Sequence, residues 1–234
     1  MNLIIEFIIN QLSKYHYFKI NSYLTILKLK NIVDIGAHKG EFFQYFIKKN
    51  NFINKALLVE PQKNIFNTLK TLVNKIDKKI IIKNVALGDK STKQKFFYNS
   101  LTSTSTFKKY NQFSLWFKFK QFVTFDLRKK KNLYSFVKIL TLDSLLKSTK
   151  FLKVDLLKID TEGFELEVLQ GAKKSMKNNI KYILLERTFT KIYKDYSFKK
   201  IENTLRINNF FLIKKFKFPI PYFEDRLYKK RNEK

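Results

Sequence analysis

Short apolar runs alternate with segments of helical periodicity along most of the chain. Five runs are typical of buried strands, namely 31–35, 55–60, 79–87, 154–160 and 181–186. The segments between them, such as 163–177, place apolar residues three and four positions apart, as in an amphipathic helix. This alternation predicts a parallel sheet with helices on both faces. Ligands of such sheets bind at the carboxyl ends of the strands, near the point where the strand order reverses.

The two ends of the chain depart from this alternation. Residues 1–30 are predicted to form an N-terminal helical extension, because their apolar positions have helical spacing and are too interrupted to cross a membrane. Residues 31–234 are predicted to form one domain. This domain is expected to end in an antiparallel hairpin around Pro219 and Pro221.

Lysines and aromatic residues interleave in residues 107–135, which we interpret as a variable insert. One interpretation is a strip that contacts a glycan, anionic lipid or single-stranded nucleic acid. The other is a lid whose aromatic side chains pack onto the domain while its lysines face solvent. We favour the second for most of the aromatic residues. The insert is expected to border the ligand pocket, because active-site lids are usually long loops.

The chain carries a net charge of +29, from 48 Lys and Arg against 19 Asp and Glu. Such a charge favours partners such as nucleic acid, anionic lipid or acidic glycan. A genome biased toward A and T would produce the same excess of lysine, and we slightly favour this explanation because arginine is scarce. The chain has no cysteine, which excludes disulfides, thiolate zinc sites and cysteine nucleophiles.

The first apolar run leads into the turn D-I-G-A-H-K-G, which contains Asp34, Gly36 and Gly40. Glycine in this turn lets the backbone approach a ligand or adopt a positive φ. Glu60 ends the second run, where a carboxylate can bind both ribose hydroxyls of a nucleoside, and Asp89 follows the third, within reach of an adenine amino group. Three carboxylates without a phosphate-binding lysine motif favour a cationic ligand such as S-adenosylmethionine.

These motifs resemble those of the FkbM family of class I S-adenosylmethionine-dependent methyltransferases. The matching pieces, in chain order, are VDIGAHKGEF, LLVEP, NVALGD, ILTLDSLL, LLKIDTEGFELEVLQGA and YILLE. They cover most of the chain, and the fifth piece is the most specific to the family. The resemblance implies an α/β, Rossmann-like class I methyltransferase fold, with a mostly parallel seven-stranded sheet and a C-terminal antiparallel hairpin.

The same resemblance implies a site for S-adenosylmethionine. The residues that it assigns to the cofactor are Asp34, Gly36, Ala37, Gly40, Glu60, Pro61, Asp89, Ser103 and Ser105. The residues of the first turn would line the methionine and sulfonium end, while Glu60 would bind the ribose and Asp89 the adenine. Ser103 and Ser105 would belong to a loop that closes near the cofactor. The family often has asparagine at the position of His38, and we interpret this histidine as a bystander.

The catalytic candidates follow the fourth and fifth predicted strands. Methyl transfer must hold nucleophile, methyl and sulfur in line and must remove one proton. Asp160 is expected to position the acceptor or take its proton, with Glu162 as the alternative base. Glu186 is expected to orient the acceptor hydroxyl. Glu165 is interpreted as a carboxylate that complements a helix dipole. Asp160, Glu162 and Glu186 also suit Mg²⁺, but without a fixed ligand spacing we assign no metal site.

The resemblance favours an O-methyltransferase acting on a hydroxyl of a sugar, glycan or related metabolite. A nucleic-acid methyltransferase, chiefly of RNA, is the second hypothesis because of the positive charge. A non-catalytic methyltransferase-like binding domain is the third. The expected partner is a saccharide or another small acceptor, with nucleic acid and an anionic membrane surface as alternatives. We expect a cytoplasmic location, since no signal peptide is evident. The oligomeric state stays open.

Overall fold

The computed structural model covers most of the sequence. It describes residues 3–99, 102–109, 111, 133–189, 193–220 and 223–231. Most of the predicted insert at 107–135 therefore lies outside the described residues, and both interpretations of it stay predictions.

Seven α-helices form in this part of the chain: α1 (Leu3–Ile26), α2 (Glu41–Lys49), α3 (Lys63–Val73), α4 (Leu142–Ser148), α5 (Glu165–Gln170), α6 (Lys173–Asn178) and α7 (Phe198–Ile207). A 3₁₀ turn spans Thr102–Thr104. The sequence of each helix shows locally why it forms. For example, α2 buries Phe42, Phe43 and Phe46, which share one face. The side chain of Thr141 caps α4 by accepting a hydrogen bond from the Ser144 N–H at 3.1 Å.

The described strands are β1 (Asn31–Ile35), β2 (Lys55–Val59), β3 (Lys79–Lys83), β4 (Ala86–Leu87), β5 (Thr92–Phe97), β6 (Tyr134–Leu140), β7 (Val154–Ile159), β8 (Ile180–Thr188), β9 (Phe210–Lys217) and β10 (Phe223–Lys230). Seven of them form the main sheet, in the order β3-β2-β1-β7-β8-β10-β9. The pairs from β3 to β8 are parallel, and β10 runs antiparallel to both of its neighbours. The predicted mostly parallel sheet with a C-terminal antiparallel hairpin is therefore confirmed.

Helices cover both faces of the main sheet. One face, which includes Val33 and Leu157, packs against α4, α5, α6 and α7. The other face, which includes Ile32 and Leu156, packs against α1 and α2. The strand order reverses between β1 and β7, because β2 and β3 lie on one side of β1 while β7 and β8 lie on the other. In an open α/β sheet this is the place where ligands bind.

Two predicted elements are divided in the structure. The single strand expected over 79–87 is wrong, because β3 ends at Lys83 and β4 belongs to a separate three-stranded sheet in the order β4-β6-β5. The single helix expected over 163–177 is also wrong, since α5 and α6 are separated at Gly171. A β-carbon on Gly171 would lie 1.9 Å from the carbonyl oxygen of Gly88, so this close contact with the small sheet accompanies the break.

The N-terminal helix α1 packs into the domain core. Ile20 and Leu24 are fully buried and join the apolar cluster of the second sheet face, together with Phe216 and Leu227 from β9 and β10. In the part of the chain that the structure describes, no helix has both the length and the apolar character needed to span a bilayer. Residues of α1 thus cover the second face of the sheet, close to the carboxyl ends of its parallel strands.

Candidate active site

The turn between β1 and α2 has the left-handed backbone geometry that its glycines predict. Gly36 has a φ of 78° and Gly40 a φ of 86°, both in the left-handed region. A β-carbon at position 36 would lie 1.8 Å from the backbone oxygen of Asp160. The N–H groups of Gly36 and Ala37 both donate to the Val59 carbonyl at 3.0 Å. The turn is thus fixed against the ends of both β2 and β7.

Glu60 lies directly after β2 and is almost completely buried. Its Oε1 accepts a hydrogen bond from the Gln62 N–H at 2.8 Å, and its Oε2 accepts one from the His38 N–H at 3.0 Å. Burial raises the pKa of Glu60, while the hydrogen bond from Gln62 and the nearby His38 oppose this rise. The carboxylate is held rigidly at the strand end where the sequence predicted a ribose contact.

His38 connects this turn to the loop that follows β5. Its φ is 49°, and its Nδ1 and Nε2 lie 2.8 Å from Glu41 Oε1 and from Thr102 Oγ1, respectively. The Gln62 amide also donates to the Thr102 carbonyl at 2.9 Å. The expectation that His38 is a bystander did not anticipate these two ring contacts, which join the first turn to the 3₁₀ turn.

The two serines predicted near the cofactor lie beside these contacts. Ser103 is exposed within the 3₁₀ turn, whereas Ser105 is buried and its Oγ accepts a hydrogen bond from the Asn99 N–H at 3.2 Å. Ser105 therefore shapes the loop. The loop itself is held close to Glu60 through Gln62, as the prediction of a covering loop requires.

Asp89 does not end a strand of the main sheet. The third main-sheet strand, β3, stops at Lys83, and Asp89 follows the short strand β4 of the other sheet with an exposed side chain. The prediction of three carboxylates at the ends of three neighbouring strands is therefore wrong for this residue. Asn84 follows β3 instead, and its side-chain amide donates to the Glu60 carbonyl at 2.8 Å and to the Pro61 carbonyl at 3.1 Å.

A buried lysine on β7 links two of the predicted site carboxylates. Lys158 Nζ lies 3.4 Å from Asp34 Oδ1 and 3.1 Å from Asp160 Oδ2. Asp34 and Lys158 are also register partners on β1 and β7. Burial would lower the pKa of Lys158, but the surrounding acids, Asp160 first, hold it well above its usual value. The sequence analysis missed this residue, although a lysine within a wholly buried strand was a usable signal.

Asp34 itself is completely buried. Among the described residues, neither of its carboxylate oxygens has a hydrogen-bond partner, and its polar contact is the ion pair with Lys158. Burial raises its pKa, and Lys158 opposes that rise. A buried carboxylate left without hydrogen bonds is costly, and it marks a position where a cationic or hydrogen-bonding ligand would be stabilised.

Further carboxylates lie at the ends of β8 and β10. Glu186 and Asp225 are register partners on these antiparallel strands, so both side chains are on the same face. Burial, with Asp160, Glu162 and Asp225 nearby, raises the pKa of Glu186 well above its usual value. Like charges this close favour the protonated form of one member. Glu186 is therefore suited to donating a hydrogen bond.

The turn after β7 positions Glu162. This residue has a φ of 53°, which is uncommon for a side chain other than glycine. Its carbonyl accepts a hydrogen bond from the Thr106 hydroxyl at 2.6 Å, and its carboxylate accepts one from the Tyr193 hydroxyl. Glu162 is thus held from two sides, and its carboxylate is already engaged.

Glu165 organises the same turn from the first turn of α5. Its Oε1 accepts hydrogen bonds at 3.1 Å from the Thr161 N–H, the Thr161 hydroxyl and the Gly163 N–H. Burial raises the pKa of Glu165 to about 7 against these hydrogen bonds. The interpretation of Glu165 as a structural helix-terminus carboxylate agrees with this geometry.

A polar cavity of about 40 Å³ lies where α1 crosses this edge of the sheet. Its polar lining includes His16, Tyr17, Lys158, Asp160, Glu186 and Asp225. His16 Nε2 is 2.7 Å from Asp225 Oδ2, and both residues are buried. The sequence analysis missed this pair because its members are 209 residues apart in the chain. In the described ranges, no three His, Asp or Glu side chains are grouped so as to hold a metal ion.

The strand order, the glycine turn at the switch point and the acidic strand ends define a class I methyltransferase fold. Residues 34–212 match the family model described as the methyltransferase FkbM domain, and this match covers most of the chain. The chain therefore belongs to the FkbM methyltransferase family. No curated protein matches the sequence significantly.

Several solved structures share the fold. Methyltransferase FkbM from Methylobacillus flagellatus superimposes with a TM-score of 0.55 at 15% identity, covering 86% of this chain and 44% of that one. The methyltransferase domain of bacterial CtHen1-C gives 0.53 at 8% identity, covering 94% and 100%. The METTL16 methyltransferase domain gives 0.50 at 15% identity, covering 95% and 68%. The chain thus spans less than half of the length of the M. flagellatus protein.

Proposed function

We propose that this protein is an S-adenosylmethionine-dependent O-methyltransferase that acts on a hydroxyl of a sugar, glycan or related metabolite. The observation that carries the proposal is the buried carboxylate of Asp34, whose oxygens have no hydrogen-bond partner within the described chain. It lies in the strand that leads into the glycine turn at the switch point of a methyltransferase fold. A cationic ligand at this place would add hydrogen bonds to a carboxylate whose polar contact in the described chain is its ion pair with Lys158.

The residues present fit S-adenosylmethionine. Asp34 suits its cationic methionine end, and the left-handed φ angles of Gly36 and Gly40 keep β-carbons out of the turn. Each Glu60 oxygen accepts one backbone hydrogen bond and keeps a further lone pair that can accept a ribose hydroxyl. The backbone of Ala37 and Pro61 would border the same ligand. When bound, S-adenosylmethionine would supply an electrophilic methyl group.

The acceptor would bind at the ends of β7 and β8. Asp160 is held by Lys158 at 3.1 Å and keeps part of its carboxylate exposed, so it can orient an acceptor hydroxyl. Glu186, with its raised pKa, can donate a hydrogen bond to the same acceptor. Glu162 would shape this edge from the turn after β7. Several hydrogen-bonding groups converge on a cavity of about 40 Å³, which has room for a single acceptor hydroxyl, so the rest of a polyhydroxylated acceptor such as a saccharide would lie outside it.

Titration calorimetry of S-adenosylmethionine against the purified protein tests the cofactor. We expect Glu60→Gln to weaken binding at least about tenfold, because a charged hydrogen bond is lost. Asp77→Asn is the matched control, since Asp77 is exposed and precedes β3, at the opposite edge of the sheet from Glu60. No binding by the folded wild-type protein would contradict the proposal and would favour a non-catalytic binding domain.

The acceptor is then identified by incubating the protein with S-adenosylmethionine that carries an isotopically labelled methyl group and measuring the transfer of label to a panel of compounds. The panel should contain saccharides, glycans and RNA, because the net charge of +29 also favours a polyanion. Transfer to saccharides supports the proposal. Transfer to RNA alone, with binding that falls steeply as salt rises, would replace it with the nucleic-acid alternative. Vesicles with and without anionic lipid test the proposed membrane contact in the same preparation.

A further inference from the structure

The polar cavity under α1 joins the proposed acceptor edge to residues outside the matched family region. His16 on α1 and Asp225 on β10 lie before and after residues 34–212. Both line the same cavity as Asp160 and Glu186. The first helix and the last strand therefore contribute directly to the edge where an acceptor hydroxyl would be held.

The proposed acceptor edge needs a group that can take a proton, and each of its carboxylates either accepts a hydrogen bond from a neighbouring side chain or has a raised pKa. Asp160 accepts from Lys158 at 3.1 Å, and Glu162 accepts from the Tyr193 hydroxyl. Crowding among acids favours the protonated form of Glu186. Burial raises the pKa of Tyr17, so its phenol stays protonated.

His16 has the electronic arrangement that a proton acceptor needs. Its Nε2 lies 2.7 Å from Asp225 Oδ2, and since a carboxylate only accepts, Nε2 carries the proton. The other ring nitrogen, Nδ1, is buried and has no hydrogen-bond partner in the described part of the chain. A neutral imidazole in this state keeps its lone pair on Nδ1. The ring also packs edge-on against Phe218 and Phe223, which fixes its orientation.

We propose that His16 is the proton acceptor of the methyl transfer and that Asp225 is the positioning residue that fixes its tautomer. This inference rests on the proposed function. The acceptor oxygen forms a bond to the methyl carbon while the sulfur–carbon bond breaks and its electron pair stays on sulfur. The hydroxyl proton passes to Nδ1 of His16, and Asp225 stabilises the resulting imidazolium. The cavity of about 40 Å³ is large enough for a hydroxyl group beside the ring.

The first experiment determines the tautomer of His16 by NMR of protein labelled with ¹⁵N at histidine. The chain has only two histidines, so a His38→Asn variant assigns both rings. We expect the neutral form of His16 to carry its proton on Nε2, and Asp225→Asn to change that preference. Glu224→Gln is the matched control, because Glu224 pairs with Arg226 on the same strand. A proton on Nδ1 in the neutral wild-type protein would overturn the proposal.

The second experiment compares complexes with S-adenosylmethionine and S-adenosylhomocysteine, which differ by the methyl group and its positive charge. We expect the His16 ring nitrogens to resonate differently in the two complexes. His38, which lies beside Glu60 at the proposed nucleoside end, is the internal control. Its ring nitrogens should have the same chemical shifts in the two complexes. Binding of both ligands with identical His16 signals would overturn this inference alone. Failure of S-adenosylmethionine to bind in calorimetry would overturn the proposed function and this inference with it.

The third experiment measures turnover with an acceptor from the labelled-methyl panel. His16→Gln is expected to lower kcat by about 10²–10⁴-fold, the usual contribution of general base catalysis. Calorimetry should still show wild-type affinity for S-adenosylmethionine in this variant. An unchanged kcat with His16→Gln would overturn the assignment of the proton acceptor.

Discussion

Gly36 faces the backbone oxygen of Asp160 so closely that a β-carbon on it would lie 1.8 Å from that oxygen. The Asp160 N–H in turn donates to the Ile35 carbonyl at 3.0 Å. The first strand's turn and the end of β7 are therefore fixed to each other through backbone. This contact joins the proposed cofactor side of the site to the proposed acceptor side.

Replacing this glycine should damage the fold at the switch point. We expect Gly36→Ala to lower the free energy of unfolding by at least about 2 kcal/mol, because the left-handed φ and the backbone contact both resist a side chain. Urea unfolding measures the change. In Gly88→Ala, the atoms nearest to the new methyl group would belong to the side chains of Ile139 and Phe164, at 3.0 Å, so a smaller loss is expected. Equal losses would contradict this explanation.

The ion pairs of Lys158 give a prediction about coupling. Lys158→Met should cost about 3–5 kcal/mol of stability, because it leaves Asp34 buried without its cation. Adding Asp34→Asn should recover part of that loss, since the uncompensated charge is then removed. A double-mutant cycle by urea unfolding measures the coupling. Strictly additive losses would show that the two side chains do not interact.

Glu165 should make stability depend on pH. Its pKa is about 7 in the folded protein, against the ordinary glutamate value of 4.5. Between these values the folded state binds more protons than the unfolded chain, so the free energy of unfolding falls as pH rises through this window. The effect amounts to at most about 3 kcal/mol.

Glu165→Gln should remove this dependence while its side-chain oxygen still accepts the N–H groups of Thr161 and Gly163. Unfolding measured from pH 4.5 to 8 should therefore show a flatter profile and a more stable protein above pH 7. Gln170→Ala, at an exposed position of the same helix without a titratable group, is the control and should keep the wild-type profile. A profile of Glu165→Gln that parallels the wild type would assign the pH dependence to other acids.

The contacts of Thr102 should hold the 3₁₀ turn onto the site. Thr102→Val removes the hydrogen bond to His38 Nε2, and we expect a loss of about 1 kcal/mol in stability together with faster hydrogen exchange in the turn. Ser103→Ala, at the exposed neighbouring position, should change stability by less than about 0.5 kcal/mol. Unaltered exchange in Thr102→Val would contradict a holding role for this threonine.

Local patterns were sufficient to predict the sheet and the position of its switch point. Apolar runs identified the strands, and the glycine turn with Glu60 identified the switch point. The position of Asp89 was not predictable in this way, because N-V-A-L continues the apolar run although the chain leaves the main sheet after Lys83. Periodicity indicates that a strand exists but not which sheet it joins. The prediction of a single helix across Gly171 was wrong for a similar reason. The break accompanies a contact with Gly88, which comes from another part of the chain and is not visible in local periodicity.

At the proposed acceptor side of the site, the sequence analysis missed residues whose contacts join distant parts of the chain. Lys158 matters because Asp34 is its register partner on β1, 124 positions earlier, and that pairing appears only once β1 and β7 are adjacent. His16 matters because α1 crosses the sheet edge beside β10. Neither lysine nor histidine has a diagnostic spacing in such cases. Their roles follow from topology.

The pairing of His16 with Asp225 also has a consequence for synthesis of the protein. Chains are made from the N-terminus, and domains fold as their segments emerge. Because the two residues are 209 positions apart, α1 must wait for β10 to leave the ribosome before this pair can form. A nascent chain that has assembled β1, β2 and β7 already has its proposed cofactor turn, yet it lacks its proposed proton acceptor in working form. Methyl transfer would thus be withheld from partly translated chains.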